Sequence, residues 1–289
     1  MSYLIKTIEI LLHNQMKPTS EEATGNITMR QTTIDLHTAP AYQILAAAGK
    51  TVLRPGGRSA TEKLFTWANF QPGETVLELA SGLGISAISL AKHYGVRVVG
   101  IEQDADRVVA AQANIKAAGL ADRVQIIQGN IFHLQALTEK FDYVLAEAIL
   151  TMQSPLGKTQ ILDGVRDRLK PGGHFLSHEL LISDSHEPIQ TDLVKVMHVN
   201  ATPLAESDWI KTFDQAQLEV EHSETGAMKL LNPLQIFQDE GMINSIRIFW
   251  NIFTHPVLRD RVLTIRRVLT QHRQNLGYVT LYAVLHQIS

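Results

Sequence analysis

Short apolar runs alternate along this chain with segments whose apolar residues recur every three or four positions. Seven runs have the length and composition of strands: 75–79, 96–101, 124–127, 141–146, 174–177, 218–222 and 278–285. Helical patterns over 85–90, 104–118 and 154–169 lie between several of them. Strands separated by helices predict an α/β fold, in which helices cover both faces of a mainly parallel sheet.

Helical patterns also flank this core. Residues 3–12 have amphipathic spacing, which we interpret as a helix covering the site, with an interfacial membrane helix as the alternative. Residues 34–50 read as an alanine-rich helix, and Ser59 is predicted to cap the next one, over 60–69. The predicted parts are a helical cap and linker (1–50), a core (51–226), a helical cap insertion (227–276) and the final strand (277–289).

The late insertion contains one strongly patterned helix. Its apolar residues share a face: Leu258, Val262, Ile265 and Leu269. Three arginines recur at seven-residue intervals on another: Arg259, Arg266 and Arg273. A solvated basic face is the usual meaning of such a stripe. The alternative is a contact for an anionic substrate or lipid surface, assisted by three preceding aromatic residues: Phe249, Trp250 and Phe253.

The amino-acid composition of the chain excludes several classes of function. The chain has 289 residues, 45% of them hydrophobic, so it can bury a substantial core. A net charge of −3 gives no general electrostatic reason to bind nucleic acid. The absence of cysteine excludes disulfides, thiolate metal sites and cysteine nucleophiles, and we predict no metal site. No apolar run approaches the ~20 residues of a membrane-spanning helix. Because Glu9 makes the start a poor signal peptide, we expect cytoplasmic residence.

The stretch around the first strand carries the clearest chemical signal. Residues 75–79 end at the glycine-containing turn 80–84, and a helical pattern follows. A ligand can lie against glycine backbone beside a helix N-terminus. Residues 82–87 fit the dinucleotide pattern G-x-G-x-x-G/A, which is weak alone. Glu78 distinguishes the cases, because a pyrophosphate gains nothing from a carboxylate, whereas an α-amino group or a sulfonium is attracted.

Polar residues follow the other strands. Glu102 ends the second strand, about 20 residues past the glycine turn, where an acid can accept hydrogen bonds from both ribose hydroxyls. Asn130 follows the third strand, Glu147 the fourth, and His178 the predicted fifth. Because ligands gather beyond the carboxyl ends of parallel strands, we expect these side chains at one site.

Taken in order, these features resemble the class I (Rossmann-like) S-adenosylmethionine-dependent methyltransferases of the bacterial small-molecule type. The matching features are E-x-A-S-G-x-G over 78–84, the acid at 102, Asn130, Glu147 and P-G-G over 171–173. The resemblance implies a doubly wound seven-stranded sheet whose last strand is antiparallel. It also implies that S-adenosyl-L-methionine donates a methyl group in line to an O, N or C nucleophile, leaving S-adenosyl-L-homocysteine.

Carried over residue by residue, the resemblance supplies candidate site residues. Those expected to bind the donor are Glu78, Ala80, Ser81, Gly82, Gly84, Ile85, Glu102, Gln103, Asn130, Ile131 and Glu147. If the acceptor must lose a proton, Glu147 and His178 are the candidate general bases. Arg54 and Gly57, in the segment R-P-G-G, form either a simple turn or a flexible element that closes over the donor.

Two other functions share parts of this pattern. An NAD(P)-dependent oxidoreductase would have the same glycine turn and acid at 102, but Glu78 and the lack of an evident Tyr-x-x-x-Lys pair disfavour it. A non-catalytic protein could keep the cofactor fold as a scaffold. The expected partner is a small-molecule substrate, without nucleic acid or stable membrane insertion, and a homodimer is open.

Overall fold

A computed structural model describes residues 35–183 and 187–286, which are built around one seven-stranded sheet. The strands are β1 (Thr75–Leu79), β2 (Arg97–Glu102), β3 (Val124–Gln128), β4 (Phe141–Glu147), β5 (Leu169–Ile182), β6 (Leu218–Ala227) and β7 (Leu276–Leu285). The helix predicted over 3–12 lies outside the described residues.

The sheet order is β3-β2-β1-β4-β5-β7-β6. Strands β1 to β5 pair in parallel, whereas β7 lies antiparallel between β5 and β6. This order confirms the doubly wound seven-stranded sheet with an antiparallel last strand. It also makes β1 and β4 neighbours on either side of the point where the strand order reverses, which is where open α/β sheets bind ligands.

Nine α-helices surround the sheet within the described residues. They are α1 (Ala41–Ala47), α2 (Gly57–Ala68), α3 (Ile85–Tyr94), α4 (Ala105–Ala117), α5 (Pro155–Arg168), α6 (Glu187–Met197), α7 (Glu206–Asp214), α8 (Pro233–Thr254) and α9 (Pro256–Gln271). Short 3-10 helices follow β3 (Ile131–Ala136) and β4 (Leu150–Met152). The helices expected after β1, β2 and β4 are therefore confirmed.

Two predicted helix starts are wrong. Helix α1 is shorter than the predicted 34–50, because Pro40 stands at its N-cap and the residues before it form a turn. Helix α2 begins at Gly57 with Gly56 as its N-cap, so Ser59 lies inside the helix. The Ser59 hydroxyl instead lies 3.4 Å from the carbonyl oxygen of Gly56.

Three apolar cores hold these layers together. One lies on each face of the sheet, centred on Phe175 and Trp209 on one side and on Leu90 and Phe65 on the other. The third joins α1, α6, α8 and α9 to the ends of β5 and β7. The predicted apolar face of α9 is confirmed, since all four of its residues are buried there: Leu258, Val262, Ile265 and Leu269.

Strand β5 is longer than the sequence predicts. It continues to Ile182, because β7 pairs with it from His174 through Ile182. His178 was expected at its carboxyl end, but it lies mid-strand opposite Thr280, and both it and the neighbouring Glu179 are fully buried. His178 nevertheless pairs in register with Glu147, the last residue of β4, so it lies beside the edge of the sheet at which the site was predicted.

Helix α8 is the longest described helix, at 22 residues, and it is interrupted once. Gly241 has φ 73° and ψ 167°, so the backbone leaves the helical region there. Within residues 35–183 and 187–286, no helix combines the length and the apolar character needed to cross a bilayer.

Gly100 of β2 provides a test of how tightly the glycine turn packs. An added Cβ would overlap the Ser81 hydroxyl and the side chain of Ile126. We expect Gly100→Ala to lower the free energy of unfolding by about 1–3 kcal/mol in urea denaturation, as overpacking does. The comparison is Gly129→Ala, whose methyl would meet only the Ile101 side chain, at 3.1 Å, so its loss of stability should be smaller. Equal stabilities for Gly100→Ala and the parent would contradict the packing described.

Candidate active site

The carboxyl ends of β1, β2 and β4 bring three predicted acids to one edge of the sheet. Glu102 and Glu147 are the last residues of β2 and β4, and Glu78 is the penultimate residue of β1. Asn130 follows β3, so it extends the same edge outward. Parallel pairing of neighbouring strands thus gathers residues that are distant in sequence.

The turn after β1 is shaped by backbone in the left-handed region. Ala80, Gly82 and Gly84 have φ values of 53°, 55° and 72°, and the Gly84 amide donates to the carbonyl oxygen of Ser81 at 2.8 Å. Apart from Gly82 itself and its two chain neighbours, no described residue has an atom within 4 Å of a Cβ built on Gly82. The Gly82 amide donates to Glu102 Oε2 at 2.8 Å. An open stretch of backbone therefore lies beside a carboxylate.

A second cluster joins Arg54 to the end of β4. Arg54 Nη1 lies 2.7 Å from Glu147 Oε2 and donates to Ser86 Oγ at 3.1 Å. The Ser86 hydroxyl donates to the same carboxylate oxygen at 2.5 Å, and the Thr61 hydroxyl donates to Oε1. The side chains of Arg54 and Glu147 are 13% and 10% exposed. Both oxygens of Glu147 are thus engaged, which favours an anchoring role over a general-base role.

Glu78 is the acid with the most perturbed chemistry at this edge. Burial raises its pKa to about 8, and the negative charge of Glu147 adds to the rise, while the Ser81 hydroxyl and the Arg54 charge oppose it. Its Oε2 atom is buried without a hydrogen-bond partner among the described residues. Glu78 is therefore protonated at pH 7, and an arriving cation would favour its carboxylate form.

These residues fit S-adenosylmethionine. The unpaired oxygen of Glu78 suits an α-amino group, the open backbone at Gly82 suits a flat ligand, and Glu102 stands where ribose hydroxyls are bound. Arg54 could meet the carboxylate of the methionine end. When bound, the donor supplies an electrophilic methyl group on a positively charged sulfur.

His178 lies beside the cluster around Glu147, where neighbouring groups hold its ring. The Gly56 amide donates to His178 Nε2 at 3.0 Å, so that nitrogen carries no proton, and Nδ1 lies 3.4 Å from Thr61 Oγ1. Burial, together with the nearby Arg54 charge, holds the His178 pKa well below its usual value. The ring is neutral and its accepting nitrogen is occupied, which favours a structural role over the predicted general-base role.

The two ends of the R-P-G-G segment contact different parts of the protein. Arg54 reaches the site, whereas a Cβ on Gly57 would meet the side chains of Asp239 and Gln235 on α8. The Arg58 amide, in the first turn of α2, donates to Asp239 Oδ1 at 2.8 Å. Gly57 therefore lies against α8, where a carboxylate crowds the backbone, and its contact with a donor stays a prediction.

The remaining candidates lie along the predicted edge. Gln103 is exposed directly after β2, and Ile85, the first residue of α3, is partly buried. Asn130 Oδ1 accepts from the Phe132 amide at 2.9 Å and so caps the short helix that begins at Ile131. Their contacts with a donor stay predictions.

Sequence reasoning missed three residues of the site. Thr61 and Ser86 both donate to Glu147, although Thr61 belongs to no recognisable motif and Ser86 occupies an unspecified position of the glycine pattern over 82–87. Ala148 has φ 57°, and its amide donates to the carbonyl oxygen of His178 at 2.7 Å. A non-glycine residue in this region is uncommon and strained, and such residues cluster at functional sites. Because alanine carries no turn signal, Ala148 could be found only from the backbone.

Comparisons with known proteins agree with this geometry. A family model described as a methyltransferase domain matches residues 76–173. An uncharacterized protein of Haemophilus influenzae is 35% identical over 211 residues, covering 73% of this chain and 84% of that protein. Methyltransferase GfsG of Streptomyces halstedii is 25% identical over 144 residues, covering 50% of this chain and 51% of the relative, so the chain spans about half its length.

A solved structure supports the fold. The S-adenosylmethionine-dependent methyltransferase of Thiobacillus denitrificans, in complex with S-adenosyl-L-homocysteine, has a TM-score of 0.64 and 17% identity. The match covers 86% of this chain and 99% of that one. Together, the fold, the acids at the edge of the sheet and the matched domain make this chain an enzyme that uses S-adenosylmethionine. It belongs to the class I S-adenosylmethionine-dependent methyltransferases.

Proposed function

We propose that this methyltransferase acts on a small-molecule acceptor. The enclosure of the Arg54–Glu147 pair supports the proposal, because a macromolecular acceptor would require a more open site. A cavity of about 350 Å³ adjoins the pair and is lined in part by Arg54, Thr61 and Ser86. That volume suits a small ligand.

In this proposal the residues bind and align the reactants. Glu78 and Arg54 hold the amino and carboxyl groups of the donor, Glu102 holds the ribose hydroxyls, and Asn130 contacts the adenine. Alignment of reacting groups supplies up to about 7–11 kcal/mol of the acceleration. The acceptor is an O, N or C nucleophile attacking in line, and Glu147 acts chiefly by holding Arg54.

Several finer points belong to the same proposal. The relative GfsG is named a methyltransferase, and its name gives no acceptor. Its support for a small-molecule acceptor is therefore indirect. Four further points stay predictions. They are that the protein has no nucleic-acid partner, that it can form a homodimer, that it resides in the cytoplasm, and that the chain divides into 1–50, 51–226, 227–276 and 277–289. Family membership disfavours the oxidoreductase alternative. A methyl-transfer assay distinguishes an active methyltransferase from a non-catalytic protein.

The acceptor class is tested with a donor labelled on its methyl group. Purified protein and labelled S-adenosylmethionine are incubated with a cell extract, which is then separated into small-molecule, protein and nucleic-acid fractions. We expect protein-dependent label in the small-molecule fraction. Label confined to protein or nucleic acid would overturn the proposal, and no transfer to any fraction would favour the non-catalytic alternative.

We predict that Glu102→Ala weakens binding of S-adenosylhomocysteine at least about tenfold, because two hydrogen bonds to a charged group are lost. Isothermal titration calorimetry measures the affinity. Asp122→Ala removes an exposed acid elsewhere and serves as the control. Unchanged affinity in Glu102→Ala would remove Glu102 from the donor site.

Binding of the donor is also predicted to release a proton from Glu78. In the free protein the pKa of this carboxyl is about 8, so at pH 7 it is protonated and must ionise to pair with the α-amino group. Below pH 8 protons compete with the ligand, and the affinity therefore falls as the pH falls. Titrations with S-adenosylhomocysteine at pH 7, in buffers of different ionisation enthalpy, should show release of about one proton per ligand.

Glu78→Gln is the matched variant, since it keeps the shape and removes the ionisation. It should bind more weakly and release no proton from this position. Identical apparent enthalpies for the parent protein in all buffers would show that Glu78 does not ionise on binding.

A further inference from the structure

The outer face of α8 after Gly241 is almost entirely apolar and lies in solvent. Its large side chains are 47% to 81% exposed: Met242, Ile243, Ile246, Trp250 and Phe253. Their spacing places them on one side of the helix. Monomeric soluble proteins rarely leave a contiguous apolar patch of this kind uncovered, and such patches mark interaction sites.

The opposite side of the same helix is fully used by the fold. Ile248 and Ser245 are completely buried, and the Ser245 hydroxyl lies 2.7 Å from the carbonyl oxygen of Gly241. Asn244 and Asn251 donate to the carbonyl oxygens of Gly49 and Ala48 at 3.1 and 3.2 Å. These contacts fix the rotation of the helix, so its apolar face is held outward.

The late insertion carries mainly positive charge, and its one exposed acid, Asp260, lies 3.5 Å from Arg259. Residues 227–276 contain seven Lys and Arg residues against three Asp and Glu, although the whole chain has a net charge of −3. Two of those acids, Asp239 and Glu240, are buried against other parts of the protein. Arg247 is exposed at the border of the apolar face, and Arg266 and Arg267 of α9 are also exposed.

We propose that this outer face of α8 docks on the surface of an anionic membrane. Exposed Trp and Phe side chains enter the boundary between headgroups and acyl chains, and arginines pair with anionic headgroups. A second copy of the chain fits less well, because a symmetric pair would bury two Arg247 side chains on a face that carries no acid. The docking does not depend on which acceptor is methylated.

The docking face is also physically connected to the active site. Glu240 Oε1, just before the break in α8, accepts from the amides of Thr51 and Val52 at 2.8 and 2.9 Å. Asp239 accepts from the Arg58 amide. The segment between these residues carries Arg54. A membrane bound to the outer face of α8 would therefore contact the same helix whose Asp239 and Glu240 position the segment that carries Arg54.

Sedimentation with vesicles tests the proposal. The full chain is mixed with vesicles of phosphatidylcholine alone, or of equal parts phosphatidylcholine and phosphatidylglycerol, at low and high salt. We expect binding to the anionic vesicles that weakens as salt rises. The double variant Ile246→Asp/Phe253→Asp should lose binding by about tenfold or more, since both side chains leave the apolar phase.

The matched control is Val109→Asp/Leu156→Asp, which adds two acids at exposed apolar positions on α4 and α5. It should bind as the parent does, and circular dichroism and S-adenosylhomocysteine affinity should be unchanged in both double variants. No binding to anionic vesicles, or equal loss in both variants, overturns the proposal. Light scattering that shows a dimer dissociated by Ile246→Asp/Phe253→Asp, without vesicle binding, would assign the face to a second copy.

Discussion

Two buried carboxyl groups and one guanidinium set the electrostatics of this active site. Arg54 pairs directly with Glu147, so its positive charge lowers the pKa of Glu78 only weakly. Burial and the charge of Glu147 then keep Glu78 protonated near neutral pH. Ionisation of Glu78 leaves this edge of the sheet with one unpaired negative charge, and a donor with an α-amino group supplies the matching cation.

The position of Arg54 depends on the late helical insertion. Asp239 and Glu240 hold the backbone on both sides of the arginine, and the His178 ring holds Gly56 between them. Neither acid contacts the cluster around Glu147 through any described hydrogen bond. They act on it by fixing the chain that carries the guanidinium, so these two residues of α8 help to shape the site.

Local sequence was sufficient where the geometry itself is local. Strand, glycine turn and helix follow one another within twenty residues, so Glu78 and Gly82 could be placed from spacing alone. The length of β5 was not predictable, because it depends on pairing with β7, about a hundred residues later. The start of α2 depends likewise on Asp239, which lies 181 residues beyond Arg58. Because β5 pairs with β7, His178 lies mid-strand and not at the carboxyl end of β5, where the sequence placed it.

The uneven distribution of charge has a kinetic consequence. Residues 227–276 have a net charge of +4, from seven basic and three acidic residues, and the rest of the chain has −7, from 19 and 26, so the two parts differ in sign although the net charge of the whole chain is small. Close to a negatively charged surface, the field turns the basic end toward it before any atoms touch. Salt screens the electric field of the surface beyond about 8 Å at physiological ionic strength, so the field orients the molecule only at short range.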